Sequence, residues 1–163
     1  MTGPKRLTST WSTSLVGLRG SVSKWDQRML SLASHVSQWS RDPSTKVGAV
    51  IARPDHTIAS LGFNGFPRKM GDTPDRYEDR DDKLSRTVHA EINAIIAAKE
   101  PLKGYTMYSS FCPCSSCSLS IIQAGVQRVV APKPTEQQLS RWADSFAKTK
   151  EFFKETGVAY EEY

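Results

Sequence analysis

The clearest periodic signal lies between Lys24 and Ser40, where Trp25, Met29, Leu32, Val36 and Trp39 recur every three or four residues. That spacing predicts an amphipathic helix with one apolar face, stopped by Arg41-Asp42-Pro43. Two short apolar, β-branched runs follow, Val47 to Ala52 and Thr57 to Leu61, with Arg53-Pro54-Asp55-His56 as turn chemistry between them. They predict a β-hairpin. A second helix is expected from about His89, with Ile92, Ile95 and Ile96 as its core-facing stripe, ending before Pro101. Tyr105 to Ser109 reads as a strand, and a cysteine-bearing loop leads into a helix carrying Leu119, Ile121 and Ile122 that Gly125 caps. Val126 to Ala131 reads as another strand. Leu139, Trp142, Phe146 and Phe153 mark a last amphipathic helix ending at Gly157, and Val158 to Tyr160 an edge strand.

Two segments carry no such period. Gly62-Phe63-Asn64-Gly65-Phe66-Pro67-Arg68 is turn chemistry in which Asn64 offers both donors and acceptors, and residues 70 to 86 form a long loop of alternating charge. The element order, a helix, two antiparallel strands, then strands alternating with helices, predicts a three-layer α/β/α sandwich on a mixed sheet of about five strands, with crossovers on both faces.

The 163 residues suit one domain with its own core. We expect it to span residues 24–163, behind a flexible or loosely docked leader of residues 1–23. The leader is basic and hydroxyl-rich like an organelle transit peptide but shows no Arg-bearing amphipathic helix, so a cytoplasmic location is favoured. Net charge is +5, yet residues 1–23 hold Lys5, Arg6 and Arg19 and no acid, which leaves 19 basic against 17 acidic residues elsewhere. No polyanion-binding stripe is indicated, and no nucleic-acid partner is expected. No run approaches the roughly 18 to 20 apolar residues of a membrane-spanning helix, so no membrane partner is expected either.

Cys112, Cys114 and Cys117 fall within six consecutive positions, unlike the spread cysteines of a disulfide framework. Cys112 reads as a small buried hydrophobe. Cys114 and Cys117, at the start of one helix, and His89, at the start of another, would supply three ligands to a zinc ion and leave its fourth position open. Helix N-termini favour thiolates at such positions. Glu91 would then serve as acid and base beside the metal. His35 and His56 read as surface or packing residues. A purely structural zinc site would need one of them as a fourth ligand.

His-x-Glu combined with Pro-Cys-x-x-Cys is the signature of the zinc-dependent nucleobase deaminases. Within that superfamily, residues 25 to 160 most closely resemble the deoxycytidylate (dCMP) deaminases. The resemblance rests on Asp42-Pro43-Ser44-Thr45-Lys46-Val47-Gly48-Ala49-Val50, Gly62 to Arg68, His89-Ala90-Glu91-Ile92-Asn93-Ala94-Ile95, and Pro113 to Cys117 with Ile121-Ile122-Gln123-Ala124-Gly125. It implies a cytidine-deaminase-like fold and hydrolysis of dCMP to dUMP and ammonia, supplying thymidylate synthesis. It further implies one catalytic zinc per subunit on His89, Cys114 and Cys117, with Glu91 shuttling protons, Asn64 contacting the sugar and the Ala90 N–H bonding the base. Such enzymes are usually homo-oligomers, often hexamers, activated by dCTP and inhibited by dTTP with Mg2+. Residues 64 to 88 contain neither Cys nor His, so no second, structural zinc is implied. Where some relatives place a substrate-contacting tyrosine, this chain reads Pro132-Lys133-Pro134-Thr135. The phosphate contact is left to Arg41, Lys46, Arg68 or Arg141, each of which carries the charge a monophosphate requires. A cytidine or tRNA-adenosine deaminase would use the same metal set.

Overall fold

The structure is a computed structural model that describes residues 22–163. Most of the expected leader lies outside the described residues, but its last residue belongs to the fold. Ser23 caps α1 (Lys24–Ser37), accepting the Asp26 N–H while Asp26 accepts the Ser23 N–H, a reciprocal capping box.

The expected helix is present but rotated about its axis. Met29, Leu30, Ala33 and Val36 are buried, whereas Trp25 and Trp39 are 40% and 49% exposed and lie on the outer side. The cause is Asp26, which shares the inward face and takes two hydrogen bonds from Arg128, at 2.7 and 3.0 Å, and one from the Tyr108 hydroxyl at 2.8 Å. Trp25 instead stacks on His56 and Trp39 meets Phe63 edge-on.

The hairpin forms as β1 (Gly48–Ala52) and β2 (Ile58–Phe63). β1 then pairs antiparallel with β3 (Thr106–Ser109), β3 parallel with β4 (Arg128–Ala131), and β4 parallel with β5 (Ala159–Glu162). The resulting order is β2-β1-β3-β4-β5. Strand alternation sorts the sheet's side chains: Val50, Ala52, Tyr108 and Val130 pack under α1, while Ala49, Ile51, Met107 and Val129 face the opposite layer. That layer is made by α3 (Ala90–Ala97), α4 (Ser115–Gln123) and α5 (Glu136–Thr156). The sandwich therefore has three layers as expected, but both crossovers lie on one face and, among the described residues, α1 is the helix that covers the other.

Residues 70 to 86 are not the structureless loop the sequence suggests. They hold a 3-10 turn at Pro74–Tyr77 and α2 (Arg80–Arg86), whose N-cap Asp79 accepts the N–H groups of Asp81 and Asp82. Alternating charge here matches short helical segments with one ion pair along the turn, Arg86 to Asp82 at 2.8 Å. Among the described residues no helix is long and apolar enough to cross a membrane.

Burial alone would raise the pKa of Asp26, but Arg128, Ser23 and Tyr108 outweigh it and hold the carboxyl well below the usual carboxylate range. Its stabilising contribution is complete above the unfolded value of about 4 and is lost as pH falls towards the depressed folded value. Arg128→Met leaves a buried charge unpaired and should cost about 3 kcal/mol in chemical denaturation at pH 7. Wild-type stability should fall towards that of the variant on acidification below about pH 4.

Candidate metal and catalytic site

α3 is set against β2 by a contact that only glycine allows. A Cβ on Gly62 would lie 2.6 Å from the Ala90 carbonyl oxygen and would collide with the Ala94 nitrogen. The inward stripe of α3 is accordingly Ala90, Glu91 and Ala94, and not the isoleucines: Ile92 and Ile95 are half-buried, and Ile96 is 68% exposed. Small residues let the backbones approach, and the large ones are left at the flanks. Ser60 Oγ fixes the helix by donating to the Ala94 carbonyl, and Asn93 Nδ2 does so by donating to that of Phe63.

His89 is the N-cap residue of α3 and Cys114 that of α4, so two helix N-termini converge. Their side chains meet Cys117 from the first turn of α4, with His89 Nδ1 3.5 Å from Cys114 Sγ and 3.3 Å from Cys117 Sγ. The three donor atoms lie within 4.8 Å of one another, a spacing that can hold one metal ion. Two soft sulfurs and an imidazole nitrogen with no carboxylate among them suit zinc better than magnesium or calcium. Hydrogen bonds from Cys117 and His89 hold the Cys114 thiol down at about 4, while the adjacent Cys114 and burial push the Cys117 thiol up.

Glu91 lies beside this cluster, 3% exposed. Its Oε2 is 3.6 Å from Cys117 Sγ, and Ser109 Oγ donates to its Oε1 at 3.3 Å. Burial raises its pKa, the Coulombic pull of His89 notwithstanding, so this carboxyl holds a proton more readily than an exposed one.

A cavity of about 140 Å³ opens onto the cluster. Its lining includes His89, Ala90, Glu91 and Cys114, with Asn64, Thr45, Asp42 and Lys83 on a polar side and Phe111, Trp142 and Phe146 on an aromatic one. Asn64 thus reaches the cavity, but its amide is already engaged: Oδ1 accepts the Val47 N–H at 2.8 Å and Nδ2 donates to the Thr45 carbonyl at 2.9 Å. It braces the 42–47 loop and retains one amide hydrogen. Cys112 is buried with its sulfur 3.1 Å from the Tyr160 hydroxyl, in keeping with a packing role.

The structure does not bring the phosphate candidates into this cavity. Arg68 and Arg141 are exposed away from its lining, and Arg41 and Lys46 border a separate, open depression beside Trp39 and Tyr77. Among the described residues, the basic side chain that does line it, besides His89, is Lys83. Lys83 is 8% exposed, with Nζ 3.1 Å from Asp42 Oδ2 and 2.7 Å from Ser44 Oγ. Sequence reading missed it because nothing in a run of alternating charge marks one lysine as buried. It also missed Ser109, Phe111 and the cavity-facing position of Trp142, since the aromatic period of α5 reads as core.

The residues 23–133 match the family model described as the cytidine and deoxycytidylate deaminase zinc-binding region, and the chain belongs to that family. It is 43% identical over 119 residues to a protein of Aliivibrio fischeri named an uncharacterised deaminase in the luxG 3′ region, an overlap that covers 73% of this chain and 80% of that one. It is 39% identical over 97 residues to mouse deoxycytidylate deaminase, covering 56% of this chain and 54% of the mouse protein. The chain therefore spans only about half the length of that relative. In fold it matches the dCMP deaminase of cyanophage S-TIM5, solved with dCMP and dUMP, at a TM-score of 0.66 and 24% identity over 84% of this chain and 95% of that one.

Burial raises the pKa of Asp42, but the N–H groups of Thr45 and Ser44 and then Lys83 lower it further than burial raises it. Lys83→Met strands that carboxylate and should cost about 3 kcal/mol by urea denaturation at pH 7. The double variant Asp42→Asn/Lys83→Met should recover part of the loss, and a double-variant loss equal to the sum of the two single-variant losses would show that the pair is not coupled.

Proposed function

We propose that this protein is a zinc-dependent deaminase that hydrolyses dCMP to dUMP and ammonia. The observation that carries the reading is the convergence of His89, Cys114 and Cys117 with the buried Glu91 carboxyl at the end of a cavity large enough for one nucleobase. The kinship with proteins named deoxycytidylate deaminase supports dCMP as the substrate among cytosine compounds.

His89, Cys114 and Cys117 would hold the zinc, which when bound supplies the Lewis acidity that makes a water molecule nucleophilic near neutral pH. Glu91 moves the protons. Seated beside Cys117, it takes a proton from the attacking water and gives it to ring N3 of the cytosine, then takes the second from the hydroxyl now on C4 and delivers it to the amine as the C4–N bond breaks. Ser109 keeps the carboxylate aimed by occupying its other oxygen. The Ala90 N–H, at the free N-terminus of α3, would bond the base, and the remaining amide hydrogen of Asn64 would bond the sugar. Trp142 and Phe111 exclude water on the aromatic side.

The domain carrying this activity is residues 24–163 with Ser23 as its cap, behind the leader of residues 1–23. By family resemblance the proposal extends to one zinc per subunit, a homo-oligomer of hexameric type, activation by dCTP and inhibition by dTTP with Mg2+, a cytoplasmic location and supply of dUMP to thymidylate synthesis. Lys46, Arg68 and Arg141 stay outside the cavity, so a phosphate contact from any of them requires movement of its loop or helix end, or a second subunit.

The direct test is a deamination assay across deoxycytidine, dCMP, dCTP and CMP, with and without dCTP and dTTP. Highest kcat/KM for dCMP is expected, and no activity on any cytosine compound would sink the proposal. Glu91→Gln should retain stoichiometric zinc by atomic absorption yet lose roughly 100-fold or more in kcat. Cys114→Ala should lose the zinc itself, and full zinc content in that variant would remove Cys114 from the ligand set.

A further inference from the structure

α5 is helical from Glu136 to Thr156 except at one residue, Trp142, whose backbone (φ −134°, ψ 16°) breaks the helix in two. No proline or glycine stands at the break, and sharp departures of this kind ordinarily have such a cause. What the break achieves is placement of the indole. Trp142 lines the cavity, edge-on to Phe111 at 5.5 Å and 82° and tilted against Phe146 at 6.3 Å.

The part of α5 after the break is tied to the ligand loop. Ser145 Oγ accepts the Ser115 N–H at 2.9 Å, and Thr149 Oγ1 donates to the Pro113 carbonyl at 3.0 Å. Pro113 and Ser115 flank the ligand Cys114, so the position of the Trp142 ring is referenced to the metal cluster through three residues of one helix face. The side of the cavity occupied by Asn64 and the Asp42–Lys83 pair is polar and braced by hydrogen bonds. An apolar cavity of about 150 Å³ holds one benzene ring, and this one measures about 140 Å³.

We propose that Trp142 is the specificity-determining residue of this site: its indole contacts the base and, from the break in α5, restricts the cavity to a single-ring base, excluding purines. The assignment rests on the deaminase reading above and adds to it the residue that selects ring size.

The test uses the full-length, zinc-loaded protein. Because Trp142 is, among the described residues, the tryptophan that lines the cavity while Trp25 and Trp39 are on the far face of α1, titration with dUMP should quench tryptophan emission in the wild type, Trp11→Phe, Trp25→Phe and Trp39→Phe. The quench should be lost in Trp142→Phe. Trp142→Ala should raise KM for dCMP roughly tenfold or more with kcat within about threefold, as expected for loss of a base–aromatic contact. Trp142→Phe should restore KM to within about threefold of wild type. In addition, dAMP should inhibit Trp142→Ala but not the wild type.

A quench that survives in Trp142→Phe, an unchanged KM in Trp142→Ala, or failure of dAMP to inhibit Trp142→Ala would overturn the inference while leaving the deaminase reading intact. A dUMP quench specific to Trp142 in a protein that turns over no cytosine compound would do the reverse. Should Trp142→Ala not fold, the quench in Trp142→Phe decides the contact by itself.

Discussion

The contact on which the site depends is the one between α3 and β2, closed at Gly62. With no side chain at that position, the Ala90 carbonyl and the Ala94 nitrogen come against the strand, and Ser60 and Asn93 lock the approach from either side. The approach carries His89 and Glu91 to fixed places at one end of the sheet, because both lie within the first turn of the helix or just before it. Two of the four groups in the cluster therefore take their coordinates from a missing methyl group on a strand almost thirty residues away in sequence. The other two come from α4, whose N-cap is Cys114 itself.

Around this contact, buried charge is used to join distant segments. Asp26, Arg128 and Tyr108 tie α1 to β3 and β4, and Lys83 ties α2 to the 42–47 loop that Asn64 also holds. Replacing such pairs by apolar residues often costs nothing in net stability, whereas leaving one partner alone is expensive. Their use is therefore geometric. The Thr45 segment has its N–H held by Asp42 and its carbonyl by Asn64, so the polar side of the cavity is rigid before any ligand arrives.

Much of this was legible in the sequence, for reasons that differ by element. The hairpin, the strands and the helix ends were written locally, in β-branched runs and in Gly125 and Gly157, both at positive φ. The cluster was legible because His-x-Glu and Pro-Cys-x-x-Cys are local motifs, each read within one helical turn. The face of α1 departs from its periodicity because the pattern counts tryptophans as core, whereas a buried aspartate with a partner 102 residues away decides the rotation. The stripe of α3 differs for the opposite reason: the isoleucines carry the apolar period, but the alanines make the closest contact. Lys83, Ser109 and the aromatic wall had no local signature, since only the tertiary arrangement brings them to the cavity.

The recognisable family region ends at residue 133, yet the site does not. Ser145 and Thr149 grip the loop that carries Cys114, and Trp142 and Phe146 form one wall of the cavity, all from a helix that begins at Glu136. The proposed ligands and proton carrier are thus a transferable cassette, while the frame that spaces them is supplied by a segment outside it. Grafting the two short motifs onto another scaffold would transplant the chemistry without the calliper that sets its gap, and divergence among related chains after β4 would alter what the site admits while every metal ligand stayed the same.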